Sequence, residues 1–240
     1  MSCMTTLYPP EFYTDRRKHT AHAAARLLAC LPPDLPRRRV ADIGCGTGTW
    51  LAAVLEEGAE AAYGLEGDWV TPDMLDDGRI VFAPHDLEQS FTLPPVDLAL
   101  CFEVAEHLSA ERAPGFVSDL VALAPSVLFS AAIPGQGGVG HVNERWQSWW
   151  AHLFASHGYT AHDLIRPVVW ADDAIPAWYR QNTILYLAPG FAMRLALTPT
   201  HPFLLDAVHP AFWERANREL AYAGALPESE VLRRRAQGFD

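Results

Sequence analysis

The chain has 240 residues, half of them hydrophobic and one fifth charged, a balance that excludes a disordered polymer and allows a sizeable core. Its 29 acidic against 18 basic side chains leave a formal net charge of -11, which argues against nucleic acid as a partner, because such proteins gather Lys and Arg against phosphate. No apolar run approaches the roughly 20 residues that span a bilayer, and Met1 to Thr6 lacks the basic and apolar regions of a signal peptide, so no membrane partner and a cytoplasmic location are expected. Cys3, Cys30, Cys45 and Cys101 show no C-x-x-C spacing and no His/Cys cluster, which points to reduced thiols rather than zinc ligands or disulfides.

In chain order, Leu7 to Tyr13 leads into an alanine-rich helix around Ala21 to Cys30 that Leu31-Pro32-Pro33 ends. Tyr8, Phe12 and Tyr13 form either a lid over a site or a hydrophobic staple for that helix. Arg37-Arg38-Arg39 reads as a solvated entry to the first strand. That strand, Val40-Ala41-Asp42-Ile43, runs into Gly44-Cys45-Gly46-Thr47-Gly48-Thr49-Trp50, with glycine at every second position. Glycines there take backbone angles closed to other residues and leave no Cβ between the main chain and a ligand. A tight strand-to-helix turn without a ligand is the plainer alternative. The dinucleotide fingerprint G-x-G-x-x-G fails, because its sixth position holds Thr49.

A second strand through Ala61-Ala62-Tyr63 ends in Gly64-Leu65-Glu66-Gly67-Asp68, and a short third strand from Arg79 to Pro84 is followed by His85-Asp86-Leu87. The run Val96 to Phe102 forms a fourth strand, with Glu103-Val104-Ala105-Glu106-His107-Leu108 after it, and Ser126 to Ala132 a fifth. Alternation of strands and helices predicts a mostly parallel sheet covered on both faces. The stretches Leu164 to Trp170 and Asn182 to Leu187 are expected to add an antiparallel final pair. Beyond Pro189, a helical pattern from Pro210 to Ala223 and the cluster Arg233-Arg234-Arg235 read as an appendage. The expected organisation is one catalytic domain over 1–195, opened by a helical lid, with 196–240 as a helical extension of the same domain.

The acid before G-x-G-x-G, the acid ending the second strand, Asp86 after the third and the segment E-V-x-E-H-L after the fourth stand in order, and together they resemble the class I S-adenosylmethionine (SAM) dependent methyltransferases. The resemblance covers roughly Tyr8 to Leu187. It implies an α/β Rossmann-like fold with a seven-stranded, mostly parallel sheet, helices on both faces and an antiparallel final strand, and it implies SAM as cofactor. By resemblance Asp42 holds the amino group of SAM directly or through water, while Gly44 and Gly46, with Cys45 between them, border its methionine portion. Glu66 takes the ribose hydroxyls, Asp86 the adenine amino group, and Leu65 or Leu87 flanks the base. Backbone carbonyls around Phe102 and Glu103 face the amino acid or sulfonium end. The plainer readings are a helix cap for Asp42, a solvated turn for Glu66 and an N-cap for Asp86.

The loop Ile133 to Trp150 leaves the carboxyl edge of the sheet, where an acceptor would meet the donor methyl. Its Gly138-Val139-Gly140-His141-Val142-Asn143-Glu144-Arg145-Trp146 resembles a G-x-G-H-x-N-E-x-W segment of a bacterial methyltransferase subgroup, as does Ala177 to Asn182. The acceptor-binding set is read as His141, Asn143, Glu144, Trp146 and Tyr179. His107 and His141 are the candidates for removing an acceptor proton, since histidine titrates near neutral pH. The alternatives are helix packing for His107 and a loop hydrogen bond for His141. Trp146, Trp149 and Trp150 share a helix spacing that favours core packing for at least two of them. No metal is expected, because Ser130-Ala131-Ala132-Ile133 offers no acidic partner for Glu103 and Glu106. The expected function is methyl transfer from SAM to an oxygen or nitrogen of a small molecule, by a monomer or homodimer. A non-catalytic SAM-binding subunit and a nicotinamide-dependent oxidoreductase are the alternatives.

Overall fold

The computed structural model describes residues 10–225, with side chains described for 19–220 and for 222. Tyr8, Cys3, Arg233-Arg234-Arg235 and the side chains of Phe12 and Tyr13 therefore lie outside the described residues. The chain divides between Ala207 and Val208 into two compact units.

The first unit is built on a seven-stranded sheet of order β3-β2-β1-β4-β5-β7-β6. Its strands are β1 (Arg39–Ile43), β2 (Ala61–Glu66), β3 (Val81–Pro84), β4 (Leu98–Phe102), β5 (Ser126–Ser130), β6 (Thr160–His162) and β7 (Ile184–Leu187). The strands from β1 to β5 pair parallel, and β7 runs antiparallel to both β5 and β6. The helices of this unit are α1 (Pro10–Leu28), α2 (Thr49–Glu56), α3 (Ala113–Leu123), α4 (Gln147–Ser156), α5 (Arg166–Val169), α6 (Ala177–Asn182) and α7 (Phe191–Arg194).

All five residues of β4 and of β5 are buried, as expected for strands covered on both faces. Successive side chains feed two cores. Leu98, Leu100 and Phe102 join one with Leu27 of α1 and Leu51 and Val54 of α2. Ala99, Cys101, Val127 and Phe129 join the other with Phe116 and Leu120 of α3 and Trp150 and Phe154 of α4. Trp150 is fully buried and Trp149 packs on that core, while Trp146 stands at the exposed start of α4.

One strand lies elsewhere than the sequence suggests. The run Leu164 to Trp170 forms α5 and its approach, and β6 is the earlier Thr160–His162. Pro167 explains this, since it has no N–H for a sheet ladder but is preorganised for the first helical turn. Asn182 likewise ends α6 rather than starting β7. The stretch past residue 195 continues to pack on this unit: the Thr200 N–H donates to the Ala161 carbonyl at 2.8 Å, and Leu205 is fully buried.

The second unit contains α8 (Pro210–Ala225), whose faces carry the pairs Arg215–Glu219 at 3.5 Å and Arg218–Glu214 at 3.8 Å. Exposed i,i+4 pairs of this kind contribute about 0.3–0.5 kcal/mol each. Among the described residues no helix is long and apolar enough to cross a membrane.

Candidate active site

The sheet order reverses between β1 and β4, and in such sheets the crevice at the carboxyl ends of the strands is where ligands bind. A cavity of about 750 Å³ opens there, within the roughly 300–1,000 Å³ of small-ligand sites. Asp42, Gly44, Cys45, Gly46, Glu66, Asp86, Leu87, Phe102 and Glu103 all line it, with His107 and Tyr179. His141, Asn143, Glu144 and Trp146 do not.

The glycine loop makes one wall. Gly44, Gly46 and Gly48 have φ of 83°, 52° and 79°, values that L side chains adopt only with strain. A Cβ on Gly44 would fall 2.3 Å from Cγ2 of Val104, so the β1 and β4 loops approach each other as closely as glycine permits. The N–H groups of Gly44 and Cys45 donate to the Leu65 carbonyl at 2.8 and 3.0 Å. The Glu66 carboxylate accepts from the Gly46 N–H at 3.0 Å and the Gly67 N–H at 2.9 Å, tying the end of β2 to the glycine loop.

The cavity floor is acidic. Asp42 is buried, and among the described residues its Oδ2 has no hydrogen-bond partner. Burial first, and the neighbouring Glu66 charge second, push its carboxyl well above the usual carboxylate range. Burial also raises Glu66, against the pull of the Gly67 and Gly46 N–H groups. Burial, followed by the negative charge of Asp42 and its neighbours, pushes up the thiols of Cys45 and Cys101. Asp86 is exposed at the rim, where its carboxylate also accepts from the Glu88 N–H at 3.0 Å and so caps its own turn.

The other wall is a mesh of side chains. Glu103 has φ of 54°, uncommon for a residue with a Cβ. Its Oε1 accepts from Asn182 Nδ2 and its Oε2 from Gln136 Nε2, both at 3.0 Å, and its N–H donates to the Ser130 carbonyl at 3.0 Å. Gln181 Nε2 reaches Gln136 Oε1 at 3.2 Å and Asn182 Oδ1 at 3.0 Å, closing a buried network of amides. Burial raises the Glu103 carboxyl, opposed first by the Asn182 hydrogen bond. Phe102 stacks on Trp50 at 3.8 Å, and Tyr179 meets both rings edge-on.

The acceptor-loop residues act on one another. Glu144 accepts from the N–H groups of Gly135 and Gly137 and pairs with Nδ1 of His141, all at 2.8 Å. Asn143 is buried and bonds the Ala105 carbonyl at 3.4 Å and Arg145 Nε at 2.9 Å. They organise the loop, and of the predicted acceptor set Tyr179 alone reaches the cavity wall. Trp50, Thr20 and Trp69 also line the cavity and carry no advance signal beyond the position of Trp50 after the glycine loop. Gln136 and Gln181 stand within the segments Ile133 to Trp150 and Ala177 to Asn182, but neither carries a signal of its own.

The profile of the methyltransferase domain family matches residues 15–167. The chain belongs to that family. It is a SAM-dependent methyltransferase. Among curated proteins none matches it by sequence. Its fold is similar to that of magnesium protoporphyrin IX methyltransferase from Synechocystis PCC 6803 with bound S-adenosylhomocysteine, at 17% identity over 73% of this chain and 87% of that one, TM-score 0.54. It is equally similar to the structure of the complex between the Haloferax volcanii Trm112 methyltransferase activator and its partner methyltransferase, at 17% identity over 78% of this chain and 96% of that one, TM-score 0.54. The mitomycin 7-O-methyltransferase shares 17% identity over 77% of this chain and 59% of its own length, TM-score 0.55.

Proposed function

We propose that this enzyme methylates an oxygen or nitrogen of a small molecule in the cytoplasm, holding SAM in the cavity between β1 and β4. The observation that carries this reading is the acidic, glycine-walled floor: Asp42 with an unpartnered buried oxygen, and Glu66 beside it. A ligand bearing an ammonium group, a sulfonium and a ribose diol fits such a floor, since it offers the cations and donors that buried carboxylates need. SAM supplies a methyl carbon already activated by a positive leaving group.

The residues then have distinct tasks. Asp42 holds the amino group, Glu66 accepts from the ribose, Leu87 and Asp86 border the base, and Gly44 and Gly46 let the main chain close on the amino acid tail. Trp50, Phe102 and Tyr179 form an aromatic wall that excludes water, and in-line displacement gains most from such alignment and exclusion. His107 lines the cavity, which supports a role for it toward the acceptor. His141 supports it from the loop behind, the two ring centroids 4.8 Å apart.

A small acceptor agrees with the net charge of -11 and with the porphyrin and mitomycin named for two structural neighbours. The test is incubation with isotopically labelled SAM and a panel of small hydroxyl and amine compounds, with products assigned by NMR. Label in an O-methyl or N-methyl product supports the reading; label captured only by nucleic acid or protein would reject it.

A further inference from the structure

Glu106, His107 and His141 converge beside the donor cavity. Glu106 and His107 belong to the single 3-10 turn Ala105–His107 after β4, and His141 comes from the loop after β5. Two main-chain bonds clip these segments together: the N–H groups of Val142 and Asn143 donate to the Glu106 carbonyl at 2.8 and 3.0 Å. One carboxylate oxygen of Glu106 and one ring nitrogen of each histidine lie within 4.8 Å of one another.

Both imidazoles are oriented in the same way. His107 directs Nδ1 to the Gly140 carbonyl at 3.3 Å, and His141 directs Nδ1 to the Glu144 carboxylate at 2.8 Å. Metal-ligating histidines characteristically donate the far N–H to a carbonyl or carboxylate, which fixes the tautomer and turns Nε2 toward the ion. Gly138 helps, since a Cβ there would stand 2.2 Å from Nε2 of His141. Glu106 is the independent observation. It is 0% exposed, and among the described residues neither carboxylate oxygen has a well-formed hydrogen bond; its polar neighbours are the main-chain N–H groups of Glu106 and Ala132 and the carboxyl of Glu103. A buried carboxylate left so is costly unless a cation meets it.

We propose that Glu106, His107 and His141 bind a divalent transition-metal ion of the zinc class at the acceptor end of the cavity. Two imidazoles and one carboxylate are a donor set suited to such ions, and three protein ligands leave a position open. Bonds of about 2.0–2.2 Å bring ligand atoms to roughly 3–4 Å from one another, a contraction that side-chain rotation supplies. His107 lines the cavity, so the ion would sit at its edge. The inference rests on the methyltransferase reading and narrows it to a hydroxyl acceptor. The acceptor oxygen binds the ion and releases its proton to solvent at lowered pKa. An oxygen lone pair then forms the O–CH3 bond while the S–CH3 bond breaks, its electrons staying on sulfur as S-adenosylhomocysteine. The expectation of no metal looked for acids at β5, whereas the partner here is a histidine in the loop beyond it.

The test strips the full-length protein of metal and titrates Co2+ by visible absorption, with Zn2+ as competitor and S-adenosylhomocysteine titrated in parallel. Wild type is expected to take up one equivalent of Co2+ that Zn2+ displaces. Glu106→Gln and His141→Gln are expected to weaken Co2+ by about 10–100-fold while S-adenosylhomocysteine binds as before. Zn2+ raises the Tm of wild type and not of Glu106→Gln. Wild type that binds S-adenosylhomocysteine but no Co2+ overturns the proposal, as does unchanged Co2+ affinity in both variants. Should Glu106→Gln lose both ligands through misfolding, His141→Gln on the loop decides. Co2+ binding without S-adenosylhomocysteine binding would instead reject the donor site and leave the ion site standing.

Discussion

Around Gly44 to Gly48 the cavity wall is main chain, held by the end of the adjoining strand β2, whereas around Glu103 it is a mesh of side chains drawn from β4, the loop after β5 and α6. The first wall needs the acid that ends β1, the alternate glycines after it and the adjoining end of β2. The second exists only after the sheet has assembled, since Asn182 and Glu103 are 79 residues apart. The glycine wall therefore joins two neighbouring strands, and the Glu103 wall joins three distant segments of the chain.

Damage to the two walls is expected to separate. The largest effect should come from Gly44→Ala, which places a Cβ against Val104 at a φ of 83°. Left-handed backbone costs a residue with a Cβ about 1–2 kcal/mol, and displacing Val104 adds to it. S-adenosylhomocysteine affinity, read by calorimetry, is expected to fall at least about tenfold, 1.4 kcal/mol. Asn182→Ala acts on the other wall. It removes the donor to Glu103 Oε1 and leaves a partly buried acceptor unsatisfied, at about 1–3 kcal/mol of stability. Calorimetric scanning should show Tm lower by about 2–10 °C, with S-adenosylhomocysteine affinity within about threefold of wild type. An equal loss of affinity in both variants would mean that the walls are one unit.

A smaller effect sharpens the comparison at the sheet edge beyond the acceptor wall. His162 on β6 is fully buried, with Nδ1 donating to the Thr198 carbonyl at 3.1 Å and Nε2 2.9 Å from the Thr160 hydroxyl. Burial lowers its pKa below the usual histidine value. The unfolded chain therefore binds this proton more readily than the native one. Its stability contribution is present above about pH 6.5, the unfolded value, and is lost as pH falls through the depressed native value. Between about pH 7.5 and pH 5.5 the change in Tm of wild type is expected to be more unfavourable than that of His162→Asn, the difference that isolates this residue from the buried carboxyls.

The same contrast explains what the sequence could show. Asp42, the alternate glycines and Glu66 are legible because each stands at the end of a strand in a short recognisable motif, although their contacts reach across to β2 and to Val104. Phe102 and Tyr179 reach the cavity as well, one at a strand end and the other on a helix. Asn143, Glu144 and Trp146 share a loop with His141 but turn inward or away, and no local pattern distinguishes a residue that shapes a loop from one that faces a ligand. The strand β6 has three residues, too few for alternation to appear, and the longer apolar run after it drew the reading until Pro167 is considered. Gln136, Gln181 and Asn182 look like ordinary polar residues, and only burial against Glu103 gives them a task.

The most direct test of the central claim, that the glycine-walled floor binds SAM through its carboxylates, is calorimetric titration of S-adenosylhomocysteine into wild type and Glu66→Gln. Glutamine keeps the size of the side chain but lacks the charge. Charged hydrogen bonds contribute about 1.5–3 kcal/mol, so binding at about micromolar Kd in wild type and roughly 10–100-fold weaker in the variant is the expected result. No binding to wild type, or equal affinity in the two proteins, would contradict it.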